Sequence, residues 1–155
     1  MITKMFPYLN FDGDGQEAAH FYADVLDGEL VGIMTYGEAQ DADLEGMPEK
    51  VKDMVMNEQF DLENGDSLMI SDVPSGMGMP TFQKGNNVSV TVFFDEIEEV
   101  RAVFNKLVEG GTVSMELQET FWSPFYGMQV DKFGIDWQIS VEGESEQAIE
   151  KPQSK

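Results

Sequence analysis

The stretch Gln118–Ser140, QETFWSPFYGMQVDKFGIDWQIS, decides how the rest of the chain is read. It divides into three strand-like pieces, Gln118–Trp122, Tyr126–Val130 and Ile135–Ser140, separated by two turns. Ser123-Pro124 marks the first turn. Asp131-Lys132-Phe133-Gly134 marks the second, where Gly134 supplies the positive φ that a tight turn demands. Both tryptophans, Trp122 and Trp137, lie here among Phe121, Phe125, Tyr126 and Phe133. Aromatic residues alternating with Glu119, Gln129 and Gln138 predict strands with one buried face. Core packing accounts for the aromatics alone, but polar side chains set among them need partners of their own.

Composition narrows the function classes. At 155 residues with 41% hydrophobic content, the chain suits one domain or two small repeats with a sizeable core. It contains no apolar run of about 18 residues, as a membrane-spanning helix would need. The start, MITKMFPYLNF, lacks the basic-then-apolar layout of a signal peptide and reads as a first strand. Without cysteine, disulfides and thiol catalysis are excluded, and a cytoplasmic setting is expected. Nine Lys and Arg against thirty Asp and Glu give a net charge of −21. Nucleic-acid phosphates and anionic membrane surfaces would be repelled, so neither is expected as a partner, and the acidity reads as a solubility device.

Working outward, a strand–helix–strand–strand–strand order occurs twice. Lys4–Phe11 reads as a strand with Pro7 at an edge. Asp14 and Glu17 have capping-box spacing ahead of a helix whose apolar face is Ala18, Phe21, Tyr22, Val25 and Leu26, ending at Asp27-Gly28. Leu30–Tyr36 follows as a strand, then an acidic stretch, Gly37–Asp53, that reads as a flap with a short helix. Strands at Met54–Leu62 and Ser67–Asp72 flank a Glu63-Asn64-Gly65-Asp66 hairpin signal. After a Gly-, Pro- and Met-rich linker, Asn87–Phe94 reads as a strand. Asp95 and Glu98 form a second capping box, and Ile97, Val100, Phe104, Leu107 and Val108 the face of a second helix ending at Gly110-Gly111. At an offset of about 83 residues Phe11-Asp12 falls on Phe94-Asp95, Phe21 on Phe104, Val25 on Val108 and Gly28 on Gly111. An ungapped internal repeat outweighs either helix taken alone. The expected fold class is therefore α+β, built from two βαβββ modules.

The segments FPYLNFDGDGQEAAHFY, MISDVPSG and ETFWSPFYGMQVDKFGIDWQI resemble the PhnB-like branch of the vicinal oxygen chelate superfamily, which includes glyoxalase I, bleomycin-resistance proteins and extradiol dioxygenases. The resemblance covers roughly residues 3–141. It implies cupped mixed β-sheets with helices outside, a homodimer and a pocket inside each cup. On this basis residues 1–141 form a single domain of two repeats, about 3–73 and 87–141, joined by a linker at 74–86. The polar tail 142–155 is expected to be disordered.

In metal-using relatives four His, Glu or Gln ligands converge from the first and last strands of the two halves. The matching positions here are Phe6 (or Pro7), Met69, Ser89 and Gln138. Three of these are not ordinary ligands for a divalent transition metal, so neither a metal nor another cofactor is expected. The lone histidine, His20, falls within the first helix and reads as a surface or packing residue. No Ser-His-Asp or Cys-His set can be assembled. Asp12-Gly13-Asp14-Gly15 lacks the later ligands of a calcium loop. A methyltransferase label carried by some of this branch finds no glycine-rich nucleotide loop and no Rossmann-like alternation here.

The expected function is metal-free binding of a small molecule, as in bleomycin-resistance proteins. The wall would consist of Phe6, Tyr36, Phe60, Met69, Met115, Glu119, Trp122 and Gln138. One alternative is a lyase or isomerase with Glu119 as general base, or with an unconventional metal site. Another is a structural or regulatory homodimer with no ligand.

Overall fold

The structure is a computed structural model describing residues 1–39 and 44–143. Part of the acidic flap stretch and most of the polar tail lie outside the described residues. The chain forms two compact units, with the boundary between Gln83 and Lys84.

In the first unit, β1 (Tyr8–Phe11), α1 (Gly15–Leu26), β2 (Glu29–Thr35), β3 (Val55–Asp61) and β4 (Ser67–Asp72) follow the βαβββ order. A 3-10 turn at Tyr36–Glu38 and the short helix α2 (Glu49–Lys52) separate β2 from β3. The sheet order is β1-β4-β3-β2, with β1 parallel to β4 and the other pairs antiparallel. Side chains alternate across the sheet, so Phe11, Phe60, Leu68 and Ile70 share one face with Asp72. That face is covered by Ala18, Ala19, Tyr22 and Val25 of α1, and the Phe11 and Tyr22 rings lie 6.3 Å apart. Each large apolar side chain buried there contributes about 1.5–3 kcal/mol.

The second unit repeats the plan: β5 (Ser89–Phe94), α3 (Ile97–Leu107), β6 (Thr112–Gln118), β7 (Tyr126–Val130) and β8 (Asp136–Val141), in sheet order β5-β8-β7-β6. Val100, Phe104 and Leu107 of α3 are buried on the side of Trp137, Ile139 and Val141. Gln129 reaches the same side and donates to the Phe104 carbonyl at 2.9 Å.

Three local expectations need correction. Neither helix is closed by its expected capping box: Asp14 and Glu96 occupy the N-cap positions, and neither makes a side-chain capping bond. For α1, the buried carboxylate of Asp72 serves instead. Its Oδ1 accepts from Gly13 and Gly15 N–H (2.9 Å each), and its Oδ2 accepts from Val55 N–H (2.8 Å). A Cβ on Gly15 would lie 2.7 Å from that carboxylate, so glycine is required by close approach. A capping box does form at Thr35 and Glu38, around the 3-10 turn. Finally, Gln118–Trp122 is not a strand. β6 ends at Gln118 because Thr120 and Ser123 hydrogen-bond each other, diverting the backbone from the ladder.

Candidate functional site

The face of the second sheet turned away from α3 carries Gln138, one of the polar groups that the aromatic-rich stretch left unexplained. Tyr126 lies opposite Ser140, Met128 opposite Gln138 and Val130 opposite Asp136. On the other side of β8, Ser89, Thr91 and Phe93 pair with Asp136, Gln138 and Ser140. Met115 pairs with Met128, after a register shift in β6 that places both methionines in one row. Across this face runs a short hydrogen-bond chain. The Tyr126 hydroxyl donates to Gln138 Oε1 at 2.6 Å, and Gln138 Nε2 donates to Ser89 Oγ at 2.8 Å. Burial raises the Tyr126 phenol above its ordinary pKa, so it remains a proton donor at neutral pH.

Above Tyr126 stand two aromatic rings. Trp122 packs edge-on to Tyr126 with centroids 5.3 Å apart, and Phe121 packs edge-on to Trp122 at 4.8 Å. Both are largely solvent-facing, Phe121 at 58% and Trp122 at 52%. The loop that holds them is fixed from below. Thr120 N–H donates to the Ser123 carbonyl (3.0 Å), and Ser123 N–H donates to Thr120 Oγ1 (3.1 Å). The Ser123 hydroxyl lies within donating distance of the carbonyls of Phe125 (3.0 Å) and Val141 (2.9 Å). Arg101 of α3 places its guanidinium over the Phe125 ring at 4.9 Å. Glu119 sits half-buried at the start of this loop, and no hydrogen bond engages its side chain among the described residues.

Of the eight expected wall residues, the structure brings Trp122 and Gln138 together at Tyr126, with Met115 opposite Met128 on β6 and Glu119 in the adjoining loop. Phe6, Tyr36, Phe60 and Met69 belong to the first unit. There Met69 pairs with Tyr8 and Gln59 on the face away from α1. Gln59 and Ser67 both donate to Asp61 on that face, and these bonds hold the Asp61 carboxyl below its ordinary pKa. Phe6 precedes β1 and is half-buried. The Tyr36 hydroxyl donates to the Asp72 carbonyl at 2.8 Å, and burial first, then the Asp72 charge, raises its pKa. Phe60 departs from expectation. It faces α1 at 2% exposure, and a Cβ added to Gly28 would overlap its ring, so it is core rather than wall.

Sequence reasoning missed Tyr126 and the role of Ser89. The two-residue alternation of Tyr126, Met128 and Val130, placed across the Asp131–Gly134 turn from Gln138, carried that signal. It also missed Glu58, which is fully buried on the helix-facing side of β3, opposite Ile33 and Ile70. Neither of its carboxyl oxygens has a hydrogen-bond partner, and burial pushes its pKa up to about 7.

The donor set does not fit a chelated metal. Gln138 directs its oxygen to Tyr126 and its nitrogen to Ser89, while Met69 and Phe6 offer no hard donor. Among the described residues no group of three or more His, Asp or Glu side chains converges. His20 is exposed on α1. No helix among the described residues is long and apolar enough to cross a membrane.

Two βαβββ units, each with a mixed four-stranded sheet and a helix on one side, define the glyoxalase/bleomycin-resistance class of fold. A glyoxylase/bleomycin resistance protein/dioxygenase domain from Frankia sp. EAN1pec shares it, with a TM-score of 0.63 at 13% identity over 93% of this chain and 94% of that one. Residues 3–140 match the family described as 3-demethylubiquinone-9 3-methyltransferase, and the chain belongs to that family, the PhnB-like branch of the superfamily. It is similar to Protein YjdN of Escherichia coli (strain K12), at 31% identity over 144 residues, 87% of this chain and 92% of that protein. It is also similar to a Bacillus cereus PhnB protein described as a putative 3-demethylubiquinone-9 3-methyltransferase. That structure gives a TM-score of 0.72 at 29% identity, covering 90% of this chain and all (100%) of the other.

Proposed function

We propose that this protein binds a small molecule without a metal, on the face of the second sheet that carries Trp122, Tyr126, Met115 and Gln138. The observation that carries this reading is the pair of exposed, mutually packed aromatic rings at Phe121 and Trp122 on an anchored loop. Two large apolar rings packed on each other and held in water by an anchored loop suit a ligand platform. Met115 and Met128, paired across the same face, adapt their shape to a ligand, and the Gln138 chain supplies polar contacts that fix its orientation. Methyl transfer, which the family's description names, finds no nucleotide-binding loop in these two mixed sheets. The Trp122→Ala variant should abolish binding of any ligand found by a thermal-shift screen while leaving unfolding cooperative. Ligand binding undiminished by that change would overturn the assignment.

The same reading takes the protein as a homodimer, as its PhnB-like resemblance implies. In its favour, β5 is an edge strand on which Phe93 is 62% exposed, and Val88, just ahead of the strand, is 74% exposed. Exposed edges of this kind are ordinarily covered by another chain or blunted by charge.

A further inference from the structure

The hydrogen-bond chain on the second sheet has a direction, and the direction selects the ligand. A phenol is a stronger donor and a weaker acceptor than an aliphatic hydroxyl, so Tyr126 gives its proton to Gln138 rather than receiving one. The distances agree: 2.6 Å suits O–H···O, and 2.8 Å between Gln138 and Ser89 suits N–H···O. With Oε1 held by Tyr126, the amide must turn its N–H groups toward Ser89. Ser89 Oγ then accepts one of them, leaving its own hydroxyl proton and the second Gln138 N–H unspent. Thr91, which pairs with Gln138 on this face, adds another hydroxyl. None of the residues placed on this face by register is Lys or Arg, and Asp136 pairs with Ser89. A carboxylate or phosphate would therefore meet a negative neighbour and no cation, within a chain of net charge −21.

We propose that the face takes an uncharged aromatic molecule bearing a carbonyl oxygen, with the oxygen accepting from Ser89 and Gln138 and the ring lying toward Trp122. This rests on the small-molecule reading above and names the ligand class for the same site. Tyr126 is then a specificity-determining residue acting through Gln138: it fixes which end of the amide faces the ligand. Discrimination of this kind is strong because a mismatched ligand covers these half-buried donors and leaves them unpaired.

The test uses three probes of one shape, 2-acetylnaphthalene, 2-naphthoate and 2-naphthylmethylammonium, titrated into the full chain and followed by tryptophan fluorescence. The ketone should bind at least about tenfold more tightly than either charged probe. Ser89→Ala should weaken the ketone by about fivefold, the worth of one hydrogen bond. Tyr126→Phe should erase the ketone-over-ammonium preference, because the freed amide can turn its oxygen outward. Binding of all three in which the ammonium or the naphthoate is preferred, or a preference untouched in Tyr126→Phe, overturns the polarity while leaving the binding site standing. Absence of binding by all three probes at millimolar concentration overturns the ligand class. The small-molecule reading itself falls only if Trp122→Ala leaves the binding of thermal-shift hits undiminished.

Discussion

Glu58 is the residue whose chemistry is least at home in its surroundings. It lies under α1 among Ile33, Phe60 and Ile70, fully buried, with neither oxygen partnered. Asp72, the other carboxylate on that face, is already occupied by three backbone N–H groups. Desolvation keeps the Glu58 proton bound to about pH 7, against an ordinary 4.5. Between these values the native protein holds a proton that the unfolded chain releases, so stability falls as pH rises through this window. The contribution is fully present below about pH 4.5 and lost above about pH 7, a change on the order of 3 kcal/mol. Chemical denaturation of wild type and Glu58→Gln across pH 4.5–8 should show a steeper decline for wild type by about that amount. Parallel curves would mean that Glu58 is solvated in the native state.

The elements of each unit are locked by a buried aspartate that holds a turn or a helix end. Asp131 Oδ1 accepts from Phe133 N–H (2.9 Å) and Ile135 N–H (3.0 Å), and Oδ2 accepts from the Trp137 indole (2.8 Å). One carboxylate thus shapes the β7–β8 turn and fastens it to the core tryptophan. Asp131→Ala strands these donors and should cost about 3 kcal/mol or more, with Asp131→Asn losing less because one acceptor oxygen remains. Equilibrium urea unfolding measures both, and an alanine variant as stable as wild type would show the turn to be held otherwise. This turn was legible in the sequence because its signal is local: Asp131 and Gly134 lie within one tight loop. The repeat was legible too, since two helices of matching periodicity recur at one offset. The cap of α1 was not, because its acceptor, Asp72, is 57 residues from Gly15 and no spacing rule reaches that far. The Phe121–Trp122 loop was misread as a strand for a related reason. Aromatic alternation imitates a strand until the Thr120–Ser123 hydrogen bonds are seen to close the backbone. Of the residues expected to line a pocket, Trp122 and Gln138 both meet Tyr126, and that meeting depends on cross-strand register that no spacing in the sequence reveals. The sequence put Phe60 in the wall because residue type does not reveal which face a residue occupies.

At the scale of the whole molecule, charge sets the terms of association. Each chain carries −21, and ion pairs such as Lys52–Glu49 and Arg101–Glu98 are surface three-residue neighbours that offset little of it. Two copies therefore repel at low ionic strength, and screening shortens the reach of that repulsion to about 8 Å near physiological salt. Light scattering at that salt should give a mass twice the chain's 17.4 kDa, with any monomer appearing as salt is withdrawn. A mass of one chain at every ionic strength would exclude the homodimer. The parallel pairing of first with last strand in each unit also has a consequence for synthesis. β1 cannot find its neighbour, nor Gly13 its acceptor 59 residues away, until Asp72 has left the ribosome. Until then β1 and the N-terminal end of α1 emerge into the cell unfinished. The first unit can then close while the Trp122 loop of the second has yet to be translated, so a nascent chain folds in the order in which it is made.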